Sequence, residues 1–151
     1  MTDPVRILIV EARFYADLAD ELYAGAAEAL EAAGVVHERV AVPGAFEIPA
    51  AIAIAADSAS HGSGPHYDGY VALGCVIRGE TTHYDYVCTE SARGLQTLAI
   101  RRHLAIGYGI LTTENGEQAW ARAARDRGNK GRAAAEACLA MIALKRQFRI
   151  A

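Results

Sequence analysis

The segment Gly79-Glu80-Thr81-Thr82-His83 sets a carboxylate, two hydroxyls and an imidazole side by side. An apolar stretch, Gly74-Cys75-Val76-Ile77, leads into it through Arg78, and a helical pattern follows. The chemistry open to such a set is proton transfer beside an anion. Histidine titrates near neutral pH and passes a proton in either direction. Hydroxyls and backbone N–H groups at the start of a helix present donors to a negative charge. The plainer reading is that His83 merely opens a helix and satisfies backbone. From this segment alone both readings stand.

Other residues carry the same two-sided reading. Arg122 lies in a helical stretch far along the chain. It either faces solvent or completes a phosphate clamp with its planar fork. Phe14 follows Arg13 at the end of an apolar run, where it is either core or a ring exposed for stacking. Glu47, in "VPGAFEIP", is either a first-turn helix charge or a ligand for hydroxyl groups. The three cysteines, Cys75, Cys88 and Cys138, contain no CxxC pair, so neither a zinc site nor a redox dithiol is expected. They read as small apolar side chains of a reduced, cytoplasmic protein. A buried Cys75 would lack the cationic neighbours that make a thiolate nucleophile. The histidines, at 37, 61, 66, 83 and 103, have no ligand spacing, so no metal is expected.

These residues need elements to position them. At 151 residues the chain is long enough for one domain, 1–151, with a sizeable core. Its formal charge of −3 gives no basic field for nucleic acid or an anionic membrane. No apolar run is long enough to span a bilayer. The opening "MTDPVRILIV" has neither a basic region nor a small-residue cleavage site, so no signal peptide is expected. Four apolar runs, 6–12, 35–42, 70–77 and 104–111, read as strands covered on both faces, the second the weakest because His37 to Arg39 interrupt it.

Helical patterns alternate with these runs. Leu18, Leu22, Ala26 and Leu30 recur every fourth residue, and Gly34 supplies a stop. Residues 45–59 are helix-like, with Pro49 placed in the first turn. Val87, Ser91, Leu95 and Leu98 mark a third helix. Asn115 and Gln118 resemble a capping box that opens a fourth, through about Arg125. An alanine-rich helix closes the chain, and "SASHGSGPHYDG" (58–69) reads as a polar surface loop. Alternation of this kind predicts an open, doubly wound parallel sheet. Ligands then bind outside the carboxyl ends of the strands. The loops there are Arg13 to Tyr15, Pro43 to Glu47, Arg78 to His83, and Thr112 to Asn115. No GxGxxG follows the first strand and no Walker loop occurs, so dinucleotide and nucleoside triphosphate folds are disfavoured. A phosphate-receiver domain would need clustered acids after the first strand and an aspartate after the third. Here Glu11 stands alone at the first, and the third ends in Arg78-Gly79-Glu80.

Taken in order, "ARFY", "VPGAFEIP", "GCVIRGETTHYDYV", "GILTTENGEQAWAR" and "GNKG" resemble the 6,7-dimethyl-8-ribityllumazine synthase family over nearly the whole chain. The resemblance implies a three-layer α/β/α sandwich of flavodoxin-like type with a central four-stranded parallel sheet. It implies an enzyme of riboflavin biosynthesis that condenses a ribitylaminouracil with a butanone phosphate, releasing phosphate and water without cofactor or metal. Phe14 matches the ring that stacks on the pyrimidine. Ala45, Phe46 and Glu47, with Cys75, Val76 and Ile77, match the segments that hold the ribitylaminouracil. Glu80 and Thr81 match the phosphate-binding backbone, Arg122 the phosphate-binding arginine, and His83 the proton donor. Tyr108 matches a position contributed by the neighbouring subunit, and Lys130 a lysine near the pyrimidine.

Two residues depart from the family's usual pattern: Tyr15 stands where asparagine is common, and Tyr108 where phenylalanine is usual. Neither removes a group the chemistry requires. The family implies a homopentamer, and in some members an icosahedral 60-mer; the sequence permits either. A non-catalytic flavin- or lumazine-binding protein, or a shell protein on the same scaffold, is the alternative. Retention of both His83 and Arg122 counts against it.

Overall fold

A computed structural model describes residues 4–151. Met1 to Asp3, part of the stretch read for a leader, lie outside the described residues. Four strands form one parallel sheet: β1 (Arg6–Ala12), β2 (Val36–Val42), β3 (Gly69–Ile77) and β4 (Ile106–Thr113), in the order β2-β1-β3-β4. Five helices join them: α1 (Ala16–Ala32), α2 (Ile48–Ser60), α3 (His83–Arg102), α4 (Gly116–Ala123) and α5 (Lys130–Gln147). A short 3-10 turn over Ala45–Glu47 precedes α2. Helices α1, α4 and α5 cover one face of the sheet around Ile7, Ile9, Val71 and Leu73. Helices α2 and α3 cover the other around Leu8, Val10, Tyr70 and Ala72. Alternate residues of β1 and β3 therefore feed opposite cores, as the two-residue period of a strand requires. The fold is the expected three-layer α/β/α sandwich.

The local signals explain most of the elements. Leu18, Leu22, Ala26 and Leu30 are all buried along α1. Gly34 follows in the left-handed region at φ +71°, where glycine carries no Cβ penalty. Asn115 accepts the Gln118 N–H at 2.9 Å, and Gln118 in return accepts the Glu114 N–H at 2.9 Å. The first bond is the cap expected at the start of α4; the return bond goes to the Glu114 N–H rather than to that of Asn115, as a strict capping box would have it. Pro49 falls in the first turn of α2, where its missing N–H costs nothing.

Three expectations need correction. The second strand is not covered on both faces: β2 is an edge strand with Val36 and Val40 each 42% exposed. Its polar His37-Glu38-Arg39 is the sequence of a solvent-facing edge. The fourth strand runs over 106–113 rather than 104–111. Leu104 and Ala105 belong to the turn after α3, which ends on His103 in the left-handed conformation. The 45–59 pattern is a 3-10 turn followed by a helix that begins at Ile48.

Helix α5 lies unusually close to β4 because Gly107 lacks a side chain. A Cβ there would sit 1.9 Å from the Ala134 carbonyl oxygen, which is backbone and cannot swing aside. Gly107→Ala is therefore expected to destabilise the fold by about 1–3 kcal/mol through overpacking. Thermal unfolding at fixed protein concentration checks this. An unchanged midpoint would mean that α5 can slide outward without loss.

Candidate active site

Parallel strands deliver their carboxyl ends to one edge of the sheet, and a cavity of ≈ 540 Å³ opens there. That size suits a small-molecule site, within about 300–1,000 Å³. Three loops far apart in sequence build it. The β1–α1 loop supplies Phe14 and Tyr15, and the segment after β2 supplies Ala45, Phe46 and Glu47. The end of β3 and the start of α3 supply Cys75, Val76, Ile77, Thr81 and His83. The strand-end rule thus brings together nearly every candidate of those three loops. Glu80 neighbours Thr81 in the same loop but does not line the cavity.

Two rings stand out by their exposure. Phe14 is 75% exposed and Phe46 55%. Core packing does not account for either, so both of the open readings for Phe14 reduce to one: its ring is offered at the cavity mouth. Phe14 meets the Tyr15 ring edge-on, with centroids 4.9 Å apart and planes at 79°. Beyond that contact the Phe14 ring stands open at the cavity mouth, where another flat ring can stack on it. Cys75 lines the wall as a thiol: burial pushes its pKa up to about 11, opposed by a hydrogen bond with Thr113. It stays protonated and apolar at neutral pH, as its lack of cationic neighbours implied.

His83 is the first residue of α3. Its backbone N–H donates to the Thr81 hydroxyl at 3.3 Å, which leaves the imidazole for the cavity. The N-cap, Thr82, makes no side-chain cap; the Thr81 hydroxyl takes the His83 N–H and Asp85 stands in the first turn, so the start of this 20-residue helix meets the cavity with its positive end partly met. Arg78 braces the same loop from outside. Its Nε donates to Glu114 at 2.8 Å and its Nη1 reaches Asp85 at 3.4 Å. Its guanidinium lies 4.3 Å from the centroid of the Tyr84 ring. This ties the β3–α3 loop to the end of β4.

Three candidates are not brought to the cavity within this chain. Tyr108 projects from β4, 48% exposed, on the face opposite the one that Gly107 and Gly109 open to α5. Arg122 is exposed on α4, its Nη1 donating to the Gln118 carbonyl at 3.0 Å. Lys130 is exposed at the start of α5, beside the close contact of Gly131 with Leu22 of α1.

Sequence reading passed over two features. Tyr84 lines the cavity beside His83, with burial raising its phenol pKa; its place in the first turn after the polar loop was the available signal. Glu11, 1% exposed, holds both Arg13 and Arg39. An acid at the end of an apolar strand signals a partner without saying which.

The 6,7-dimethyl-8-ribityllumazine synthase family model matches residues 4–146. A protein of Rhizobium meliloti (strain 1021) named 6,7-dimethyl-8-ribityllumazine synthase 1 is 62% identical over 145 residues, covering 96% of this chain and 94% of its own. A protein of Agrobacterium fabrum (strain C58 / ATCC 33970) named 6,7-dimethyl-8-ribityllumazine synthase is 58% identical over 142 residues, covering 94% of this chain and 95% of its own. One of the same name from Bartonella henselae (strain ATCC 49882 / DSM 28221 / CCUG 30454 / Houston 1) is 56% identical over 144 residues, covering 95% and 90%.

Proposed function

Because this chain belongs to the 6,7-dimethyl-8-ribityllumazine synthase family, we propose that its strand-end cavity is where two substrates are joined. The enzyme condenses 5-amino-6-(D-ribitylamino)uracil with 3,4-dihydroxy-2-butanone 4-phosphate to 6,7-dimethyl-8-ribityllumazine, releasing phosphate and water, in riboflavin biosynthesis. The observation that carries the site assignment is the convergence of Phe14, Glu47, Cys75 to Ile77, Thr81 and His83 on one cavity from three separate loops.

In this reading the pyrimidine stacks on Phe14. Ala45 to Glu47 and Cys75 to Ile77 hold its edges and ribityl chain, with the Glu47 carboxylate accepting from hydroxyls. The phosphate meets the N-terminal turn of α3, where Glu80 and Thr81 present backbone and hydroxyl donors. The 5-amino group adds to the ketone carbonyl and one water is lost. After a proton is removed the carbon–oxygen bond to phosphate breaks by elimination, and the resulting enol becomes a carbonyl that the ribitylamino nitrogen attacks with loss of a second water. Each step needs protons moved, and His83 is the cavity residue assigned to move them. Fixed donors around the phosphate favour its departure. Holding the two substrates in contact supplies much of the remaining rate.

The site is completed by a second copy of the chain. Tyr108, Arg122 and Lys130 lie off the cavity, and no arginine among the described residues lines it. The homopentamer of the family would bring one, with Tyr108 and Arg122 of one subunit facing the His83 loop of the next. Exposed Tyr86, Ile100, Tyr108 and Trp120 give such an assembly apolar surface to bury. Closure of twelve pentamers into a 60-mer remains compatible with this chain, read as one domain throughout. No described helix is long and apolar enough to cross a membrane. The cysteines are all free, which fits the reducing cytoplasm.

Incubating the purified protein with both substrates tests the activity: lumazine fluorescence should appear with stoichiometric phosphate. Neither signal above the uncatalysed rate would overturn it. Arg122→Lys keeps the charge and loses the paired donors. Its Michaelis constant for the butanone phosphate is expected to rise by about tenfold, the scale of one charged hydrogen bond, with little change for the aminouracil. Equal weakening of both substrates would place Arg122 in the fold or the interface instead.

A further inference from the structure

We infer that the ion pairs of Arg13 with Glu11 and Asp20, backed by Arg39, set the position of Phe14 in the cavity, which makes Arg13 a positioning residue for the aminouracil. This rests on Phe14 being the stacking ring. Ala12, the last residue of β1, and Phe14 in the loop beyond it line the cavity, whereas Glu11 faces the α1 side by the period of β1 and Arg13 reaches Asp20 on that side. Whatever fixes the one pair fixes the other through the backbone.

On that side Glu11 is 1% exposed and uses both oxygens. Oε1 accepts from Arg13 Nη1 at 2.8 Å and from Arg39 Nη2 at 3.1 Å; Oε2 accepts from Arg39 Nε at 2.6 Å. The second Arg13 nitrogen, Nη2, donates to Asp20 of α1 at 2.6 Å. Arg39 is itself fixed, its guanidinium 3.5 Å from the centroid of the Tyr23 ring. The Phe14 loop is thus tied at once to β1, to β2 and to the first turns of α1.

Stability alone does not explain this arrangement. Glu11 is buried but its partners are not, Arg13 being 33% and Arg39 42% exposed, and ion pairs open to water add little to stability. What the pairs do supply is direction: paired donors fix a guanidinium in angle as well as distance. Phe14 needs that direction from elsewhere. Its ring is largely exposed and touches Tyr15 only edge-on, so core packing cannot hold it. A stacking ring already in place spares the cost of ordering it when the substrate arrives.

Arg13→Ala tests the inference with little risk to folding, since Arg39 still satisfies both Glu11 oxygens. The Michaelis constant for the aminouracil should rise by about tenfold, with turnover and the constant for the butanone phosphate within about twofold. Asp20→Asn, on an exposed position of α1, should shift the same constant in the same direction by less, and it carries the test if Arg13→Ala does not fold. A cycle with Phe14→Ala is decisive: if Arg13 acts through Phe14, Arg13→Ala has no further effect in the Phe14→Ala background. Equal rises for both substrates, or an undiminished rise in that background, would overturn the inference while leaving the stacking role intact. If Phe14→Ala itself leaves the aminouracil constant unchanged, the stacking assignment falls, and the inference falls with it.

Discussion

Replacing His83 with alanine is expected to lower turnover about a hundredfold, the lower end for loss of a general acid–base group. Both Michaelis constants should stay within about threefold, because the imidazole is assigned to moving protons rather than to holding either substrate. The fold should survive the change. His83 is exposed at the start of α3, and the contact that seats it there is made by its backbone N–H with the Thr81 hydroxyl. Alanine keeps that N–H and favours helix. Steady-state kinetics with each substrate varied in turn checks the prediction. Turnover that is unaltered across the pH range would remove His83 from the mechanism. Residual activity is expected, since two substrates held in contact still condense faster than in solution.

Where burial on both faces or a periodic stripe wrote the pattern, the fold was legible. β3 carries no charged residue and β1 only Arg6 and Glu11 near its ends, and the four-residue stripe of α1 is buried along its length. The cap at Asn115 and the proline at the start of α2 marked helix beginnings by mechanisms that act locally. β2 was misread because an edge strand follows no two-faced rule; its polar centre reflects solvent on one side and Arg39 reaching back to Glu11 on the other. The start of β4 was misplaced because α3 ends on a left-handed histidine, His103, rather than on the glycine that usually announces a stop.

For the candidate site, legibility followed distance in the same way. Loops at strand carboxyl ends are named by topology alone, and the cavity lies there. The tie between Glu11 and Arg39 spans 28 positions and depends on strand register, which a single sequence does not print. The proposed roles of Arg122 and Tyr108 rest on a second copy of the chain, since both lie off the cavity within this one.

The proposed working site joins the His83 cavity of one subunit to Arg122 of the next. Its support within one chain is the placement of Arg122 on α4, off that cavity. A ring repeats one head-to-tail contact, so each site uses the front of one subunit and the back of its neighbour. His83→Ala and Arg122→Ala should each be nearly inactive alone, the first for want of a proton donor and the second for want of a phosphate clamp. Unfolded together and reassembled, they mix at random. An intact His83 then faces an intact Arg122 at about a quarter of the interfaces, by the head-to-tail geometry. The measurement is lumazine formation by the mixed assembly, with co-assembly verified by mass spectrometry. Recovery to about a quarter of the wild-type rate is expected; a mixed assembly no more active than its parents would rule out a site shared by these two residues.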